Sequence, residues 1–303
     1  MRATHRRDFL RRTLLAGAAA PVLSQATPAW AIPPIVRSRP SHLKLSVAAY
    51  SYRQYLTAKP PSMDMFGFVD LAADLGFDAV EPTSYYFPAD ADDDYFARFK
   101  RHAFVQGLDV SGTAIGNNFC LPEGTERDKQ LELTRHWIDR AAAIGAPVIR
   151  IFAGGVPKGA NEEDAFRWAV EGIQASLAHA AKRGIVLALE NHGGITSEPE
   201  QLLKFVEAID SPYFGINLDT GNFHGDDPYA DMARLAPYAL NVQVKTEVQP
   251  KGAEKKQEAD LARVIQILRD VHYSGYVVLE YEAAEDPFSA VPRHARRLRK
   301  LIG

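Results

Sequence analysis

Short apolar runs of six to nine residues alternate along the chain with longer segments whose apolar positions recur three or four residues apart. The short runs predict β-strands: LKLSVAAY from Leu43, FDAVEP from Phe77, LDVSGTAIG from Leu108, APVIRIF from Ala146, GIVLALE from Gly184, YFGINLD from Tyr213, ALNVQVK from Ala239 and GYVVLEY from Gly275. The amphipathic segments between and after them predict helices over 65–75, 93–106, 126–144, 162–183, 198–209, 228–235, 258–271 and 287–301. Gly76, Gly107, Gly145, Gly184 and Gly275 stand just before strands, where a helix ends and the chain turns sharply. Eight strand–helix units predict the α/β class and a closed (β/α)8 TIM barrel, which leaves no free sheet edge. An open doubly wound sheet fits less well, because no glycine-rich dinucleotide fingerprint follows the first strand.

The first 31 residues break this alternation. Arg6, Arg7, Arg11 and Arg12 precede the small and apolar run Leu14 to Leu23, and Ala29-Trp30-Ala31 offers a small-x-small processing site. The stretch RRDFL resembles a twin-arginine signal, with Arg6 and Arg7 as the pair. The apolar run falls short of the ~20 residues that span a bilayer. The expectation is a signal peptide over 1–31, and a mature periplasmic protein with no stable membrane association. The remaining 272 residues (303 minus 31) suit one TIM-barrel domain, 32–303. Cys120 is the single cysteine and has no partner for an intramolecular disulfide, which a core of this size does not need in an oxidising compartment. A net charge of −3 gives no general attraction to nucleic acid, and the basic residues Arg293, Arg296, Arg297, Arg299 and Lys300 read as a solvated helix face.

A TIM barrel gathers the C-terminal ends of its strands at one mouth. Glu81, Asn117, Arg150, Glu190, Asp219, Lys245 and Glu280 fall near those ends. Any one of these carboxylates would ordinarily be a loop residue or a helix cap. Asp219, however, shares strand parity with Asn217 while Leu218 faces the other layer, so its side chain continues an inward row. Glu190, Asp219 and Glu280, with the amide oxygen of Gln243, form a hard-oxygen ligand set for one divalent cation, Mn²⁺ or Mg²⁺ rather than Zn²⁺. The competing reading is a network of carboxylates bonded to backbone and lysine. Glu81, Asn117, Arg150, His192 and His224 are the candidate substrate-binding groups, with SYYFPAD and GNNF supplying aromatic and amide surface for a sugar.

LALENHGG, NLDTGNF, NVQVKTE and VVLEYE resemble motifs of the xylose isomerase-like superfamily, which includes ketose 3-epimerases and hydroxypyruvate isomerase-like proteins. The resemblance extends through most of the mature chain and implies a TIM barrel with a metal centre. It places the usual metal-binding carboxylates at Glu190, Asp219 and Glu280. The family's strand-seven motif commonly carries a histidine followed two places later by lysine; here Gln243 takes the ligand position and Lys245 is retained. The resemblance further implies proton transfer beside a sugar carbonyl, with Glu190 and Glu280 as the acid/base pair and Lys245 close by to stabilise the ionised carboxylates. The sequence therefore points to a metal-dependent isomerase or epimerase acting on a small sugar or keto-sugar. A 3-keto-glycoside lyase or hydratase shares the first proton abstraction, and loss of the metal site at Gln243 would leave a non-catalytic carbohydrate-binding barrel.

Overall fold

The computed structural model describes residues 32–303; the expected signal segment, with its arginine pair and processing site, lies outside the described residues. All eight predicted strands form, and they close into one parallel barrel. The strands are Leu43–Ala48, Ala79–Glu81, a third in two pieces (Asp109–Val110 and Thr113–Ala114), Val148–Ile151, Val186–Glu190, Phe214–Asp219, Ala239–Val244 and Gly275–Leu279. Strand eight returns to strand one in register, with Val47 opposite Leu279.

The broken third strand has a local cause. Pro82, just past strand two, has no N–H for a ladder. The first piece pairs with strand two, Ala79 opposite Asp109, and the second pairs with strand four, Thr113 opposite Ile149. Between them the Thr113 hydroxyl donates to the Pro82 carbonyl at 2.7 Å, a side-chain bond in place of a backbone one. Gly112 sits in the break, where an added Cβ would lie 2.9 Å from Val148 Cγ1 and 3.3 Å from Glu81 Oε1.

Eight principal helices surround the barrel: Met65–Asp74, Asp93–Val105, Thr125–Ile144, Glu162–Arg183, Pro199–Ala208, Pro228–Leu235, Leu261–Asp270 and Pro287–Ile302. Side chains of Asp64, Asp92, Asn161, Asp227, Asp260 and Asp286 accept the first-turn amides of six of them. The predicted helix 258–271 starts instead at Leu261, because Gln257–Glu258 pairs antiparallel with Glu247–Val248 and Asp260 is the cap. Gly76, Gly107, Gly145 and Gly184 end their helices with φ between 68° and 82°, as expected. Gly275 is different: the left-handed residue after its helix is His272 (φ 53°), and Gly275 opens strand eight with its Cα beside the Tyr273 ring. A short helical turn over Ala49–Leu56, not anticipated from the pattern, follows strand one.

Outward strand positions such as Leu187, Leu189, Ile216, Leu218, Val242, Val244, Val277 and Leu279 are buried in the layer between barrel and helices. Each such side chain contributes roughly 1.5–3 kcal/mol by leaving water. Many of the alternate, inward positions are polar: Ser46, Glu81, Ser111, Arg150, Glu190, Asn217, Asp219, Asn241 and Gln243 are all buried. Branched apolar residues more commonly fill a barrel of this size. No described helix is long and apolar enough to cross a membrane.

The seam at Gly112 is testable. Gly112→Ala forces a methyl against Val148 and should lower stability by about 1–3 kcal/mol. Gly155, with no atom within 4 Å of an added Cβ, is the control, and Gly155→Ala should stay within about 0.5 kcal/mol. Equal urea midpoints for the two variants would contradict this account of the seam.

Candidate active site

The polar interior is organised in two connected parts. The lower part is a ring of four side chains from strands two, six and seven. Asn241 Nδ2 donates to Glu81 Oε1 (2.7 Å) and lies 2.8 Å from Asn217 Oδ1; Asn217 Nδ2 donates to Gln243 Oε1 (2.7 Å); Gln243 Nε2 donates to Glu81 Oε2 (2.6 Å). Glu81, completely buried, thus takes amide donors on both oxygens and has no cation in contact. Burial, followed by the Glu280 charge, raises its pKa to about 7 against the pull of the two amides.

Above the ring lie the ion-paired groups of the mouth. Arg150 Nε pairs with Glu190 Oε2 at 2.9 Å, and Asn222 Nδ2 donates to Glu190 Oε1 at 3.1 Å. The guanidinium is anchored by the Ile115 carbonyl (3.1 Å) and the Tyr85 hydroxyl (3.4 Å), and lies 3.9 Å over the centre of the Phe152 ring. Lys245 Nζ sits among three carboxylates: Asp219 Oδ2 and Glu280 Oε2 at 3.2 Å each, and Glu282 Oε1 at 2.9 Å. Gly221 lets the lysine stem pass, since a Cβ there would lie 2.5 Å from Lys245 Cγ. Asp219 Oδ1 accepts the Gly221 amide, and the buried Oδ2 has the Lys245 ammonium, at 3.2 Å, beside it. Asp219 is therefore a mouth residue at a strand end, and Asp227 caps the helix beyond the turn.

Desolvation dominates the titration of these groups. It raises Asp219 to about 7 although Lys245 opposes it, and raises Glu190 well above the carboxylate range against Arg150, with Asp219 and Glu280 adding repulsion. Lys245 moves the other way: desolvation works against its charge, but Asp219, Glu280 and Glu282 outweigh it and hold the amine protonated.

Glu190, Asp219, Lys245, Glu280 and Arg150 are thus brought together, as their positions at strand ends led us to expect. The other expected residues are placed differently. Asn117 spends its amide on the backbone of Phe152, accepting from its N–H at 3.0 Å and donating to its carbonyl at 2.8 Å. His224 is exposed, and its Nδ1 is 3.1 Å from the Gln249 carbonyl. His192 stacks on Phe152 with ring centres 4.3 Å apart, and desolvation, then Arg150 and Lys245, lowers its pKa. Glu282 escaped the sequence reading, although it shares the parity of Glu280 and lies two residues further along. Asn191 was also missed; its amide clamps the backbone of Asp219, donating to the carbonyl (2.8 Å) and accepting from the N–H (2.9 Å). A cavity of about 500 Å³ lined in part by Tyr281, Arg293, His294 and Arg297 lies apart from these groups, and its arginines are already paired with Glu285 and Glu258.

Among the described residues, no group of three or more His, Cys, Asp or Glu side chains is arranged as it stands to hold a metal ion. Two cations hold the relevant oxygens instead: Arg150 has Glu190, and Lys245 has Asp219 and Glu280. Both ends of the Gln243 amide are committed to the ring. The chemistry of the donor set nevertheless suits a hard divalent cation. Four carboxylates, Glu190, Asp219, Glu280 and Glu282, share two cationic side chains, and the buried Asp219 Oδ2 has only the Lys245 ammonium beside it.

Residues 69–301 match the xylose isomerase-like TIM barrel family, and the chain belongs to it. No curated protein matches the sequence. Among solved structures, D-psicose 3-epimerase from Clostridium cellulolyticum H10, with D-tagatose, is similar at a TM-score of 0.70 and 16% identity, covering 86% of this chain and 99% of that one. An L-ribulose 3-epimerase gives 0.69 and 18%, covering 86% and 94%. A probable 3-DHS dehydratase from Bacillus anthracis gives 0.61 and 16%, covering 86% and 98%. At these identities the likenesses establish a shared fold.

Unfolded Glu81 and Asp219 titrate near 4.5 and 3.8, and both rise to about 7 on folding. Groups raised in this way take up protons on folding. Their contribution is most favourable below the unfolded values and is lost as the pH climbs through the folded ones. With EDTA present, the Tm should therefore fall from about pH 5 to about pH 8, and Mn²⁺ should restore most of the loss at the higher pH. A Tm that rises over this range would show that these carboxylates are not held against their charge.

Proposed function

We propose that the protein is a divalent-metal-dependent isomerase or epimerase acting on an unphosphorylated sugar or keto-sugar, through removal of a proton beside the carbonyl. The observation that carries this reading is the convergence of Glu190, Asp219 and Glu280 at one mouth, buried with fewer cations than carboxylates. Glu190, Asp219 and Glu280 would hold the cation. Gln243 would join them only by giving up its bond from Asn217. When bound, a divalent cation supplies stabilisation of enolate charge and orientation of neighbouring oxygens.

The remaining roles belong to the chain. Glu190 is the base: its raised proton affinity matches the task, and Arg150 with Asn222 fixes its two oxygens. Glu280 is the partner that returns a proton on the opposite face. Lys245, held protonated, serves as positive charge rather than as a base. Phe152, Tyr85 and Tyr50 offer aromatic walls, and neutral His192 at the rim is placed to meet a hydroxyl.

Elimination is the second reading, favoured by the dehydratase with the same fold. Reprotonation and loss of a β-substituent are alternative exits from one enolate, so the product decides between them. We further propose export by the twin-arginine route. Replacing Arg6 and Arg7 by lysine should then sharply reduce the periplasmic yield, and an unchanged yield would argue for another route.

Incubation with keto-sugars in D₂O should give enzyme- and metal-dependent deuterium beside the carbonyl, with chiral analysis covering proton return without exchange. Glu190→Gln and Glu280→Gln should each lower kcat by about 10²-fold or more with the metal retained. Wild-type turnover in both metal-loaded variants would remove the acid/base assignment. An unsaturated product would select elimination.

A further inference from the structure

The lysine occupies the oxygens that a divalent cation would need. Lys245 Nζ lies 3.2 Å from both Asp219 Oδ2 and Glu280 Oε2, and its third neighbour, Glu282 Oε1, is closest at 2.9 Å. The three carboxylates are not equivalent. The side chains of Asp219 and Glu280 are 0% and 9% exposed, whereas that of Glu282 is 28% exposed. Glu282 thus keeps contact with water while it pairs with Lys245, and it lies outside the proposed ligand set. A small crevice lined by Gly221, Lys245, Thr246, Glu247, Lys256, Glu282 and Ala283 adjoins the lysine side chain. The backbone beneath is fixed, because the Lys245 N–H donates to Thr220 Oγ1 at 2.9 Å, which leaves movement to the four-carbon stem.

We propose that Lys245 is a tethered counter-ion that competes with the divalent cation, and that Glu282 is the berth to which its ammonium withdraws when the cation arrives. With the centre unloaded, the ammonium neutralises Asp219 and Glu280 and prevents two buried carboxylates from facing each other uncompensated. With the centre loaded, an ammonium left between the same oxygens would repel the incoming ion. Retreat onto Glu282 keeps the lysine paired and frees Asp219 and Glu280. Glu282 thus acts as a positioning residue through Lys245 and sets the cation affinity without touching the cation. This inference rests on the proposed metal centre.

The test is a double-mutant cycle on Mn²⁺ binding, measured by titration calorimetry on EDTA-stripped protein. Lys245→Gln should bind Mn²⁺ about ten-fold more tightly or better, because the competitor is gone. Glu282→Gln should bind more weakly by a similar factor, and its position at the edge of the mouth keeps the variant foldable. The decisive comparison is the double variant. If Glu282 acts by receiving Lys245, the Glu282→Gln loss disappears once Lys245 is glutamine; if it only adds negative charge near the ion, the same loss persists. Persistence of that loss would overturn the berth. Unchanged or weaker Mn²⁺ binding in folded Lys245→Gln would overturn the competition. Absence of Mn²⁺ binding in every protein, with a lower Tm for Lys245→Gln in EDTA, would reject the metal centre itself and make the lysine a permanent counter-ion.

Discussion

Carboxylates removed from water must be neutralised, and the interior of this barrel is arranged around that constraint. Glu190, Asp219 and Glu280 meet it with the side-chain cations Arg150 and Lys245. Glu81 meets it differently, with two amide donors and a high proton affinity. Breaking a buried pair by deleting one partner costs far more than an exposed pair is worth, so these residues depend on one another. The surrounding groups make sense as supports: Asn222 and Tyr85 orient the charged side chains or their partners, Asn191 and Asn117 fix the backbone that carries them, and Gly221 clears a path for the lysine stem.

That dependence also explains why the same cluster can be described as an ion-pair network and as a metal centre. Oxygen donors that satisfy an ammonium are the kind that satisfy Mg²⁺ or Mn²⁺. The two descriptions differ in which cation is present. A chain that supplies its own cation keeps these carboxylates paired without an external one. On the proposed reading, a divalent cation would have to displace that internal cation, at a cost in affinity.

The barrel was legible in the sequence because its strands are apolar on one face and its helices carry their own end signals. Helix 162–183 was read to the residue, with Asn161 at its start and Gly184 at its end. Helix 258–271 was placed three residues early because the Gln257–Glu258 strand depends on contact with Glu247–Val248, which no local pattern announces. Among the site residues, strand parity located Asp219, and the same parity carried from Glu280 one step further would have located Glu282. Strand parity gave direction but not partners. It did not reveal that Asn117 is spent on Phe152, or that Gln243 closes a ring with Asn217, Asn241 and Glu81, because those bonds join different strands. Arg150 was legible as a mouth residue, though its pairing with Glu190 was not.

The divided third strand gives the barrel unequal mechanical compliance around its circumference. From strand four through strand eight and on to strand two the backbone ladder is continuous, and it carries Arg150, Glu190, Asp219, Lys245 and Glu280 on or just beyond its strands. At the seam, strand three is joined to strand two by the Ser111 amide to the Val80 carbonyl, the Thr113 hydroxyl bond to Pro82 and the single bridge between Thr83 and Ala114. Strain applied across the mouth therefore concentrates beside Tyr85 and Asn117. Arg150, held by the Ile115 carbonyl and the Tyr85 hydroxyl, is tied to that wall, so a displacement of the seam is passed to Glu190 through the guanidinium.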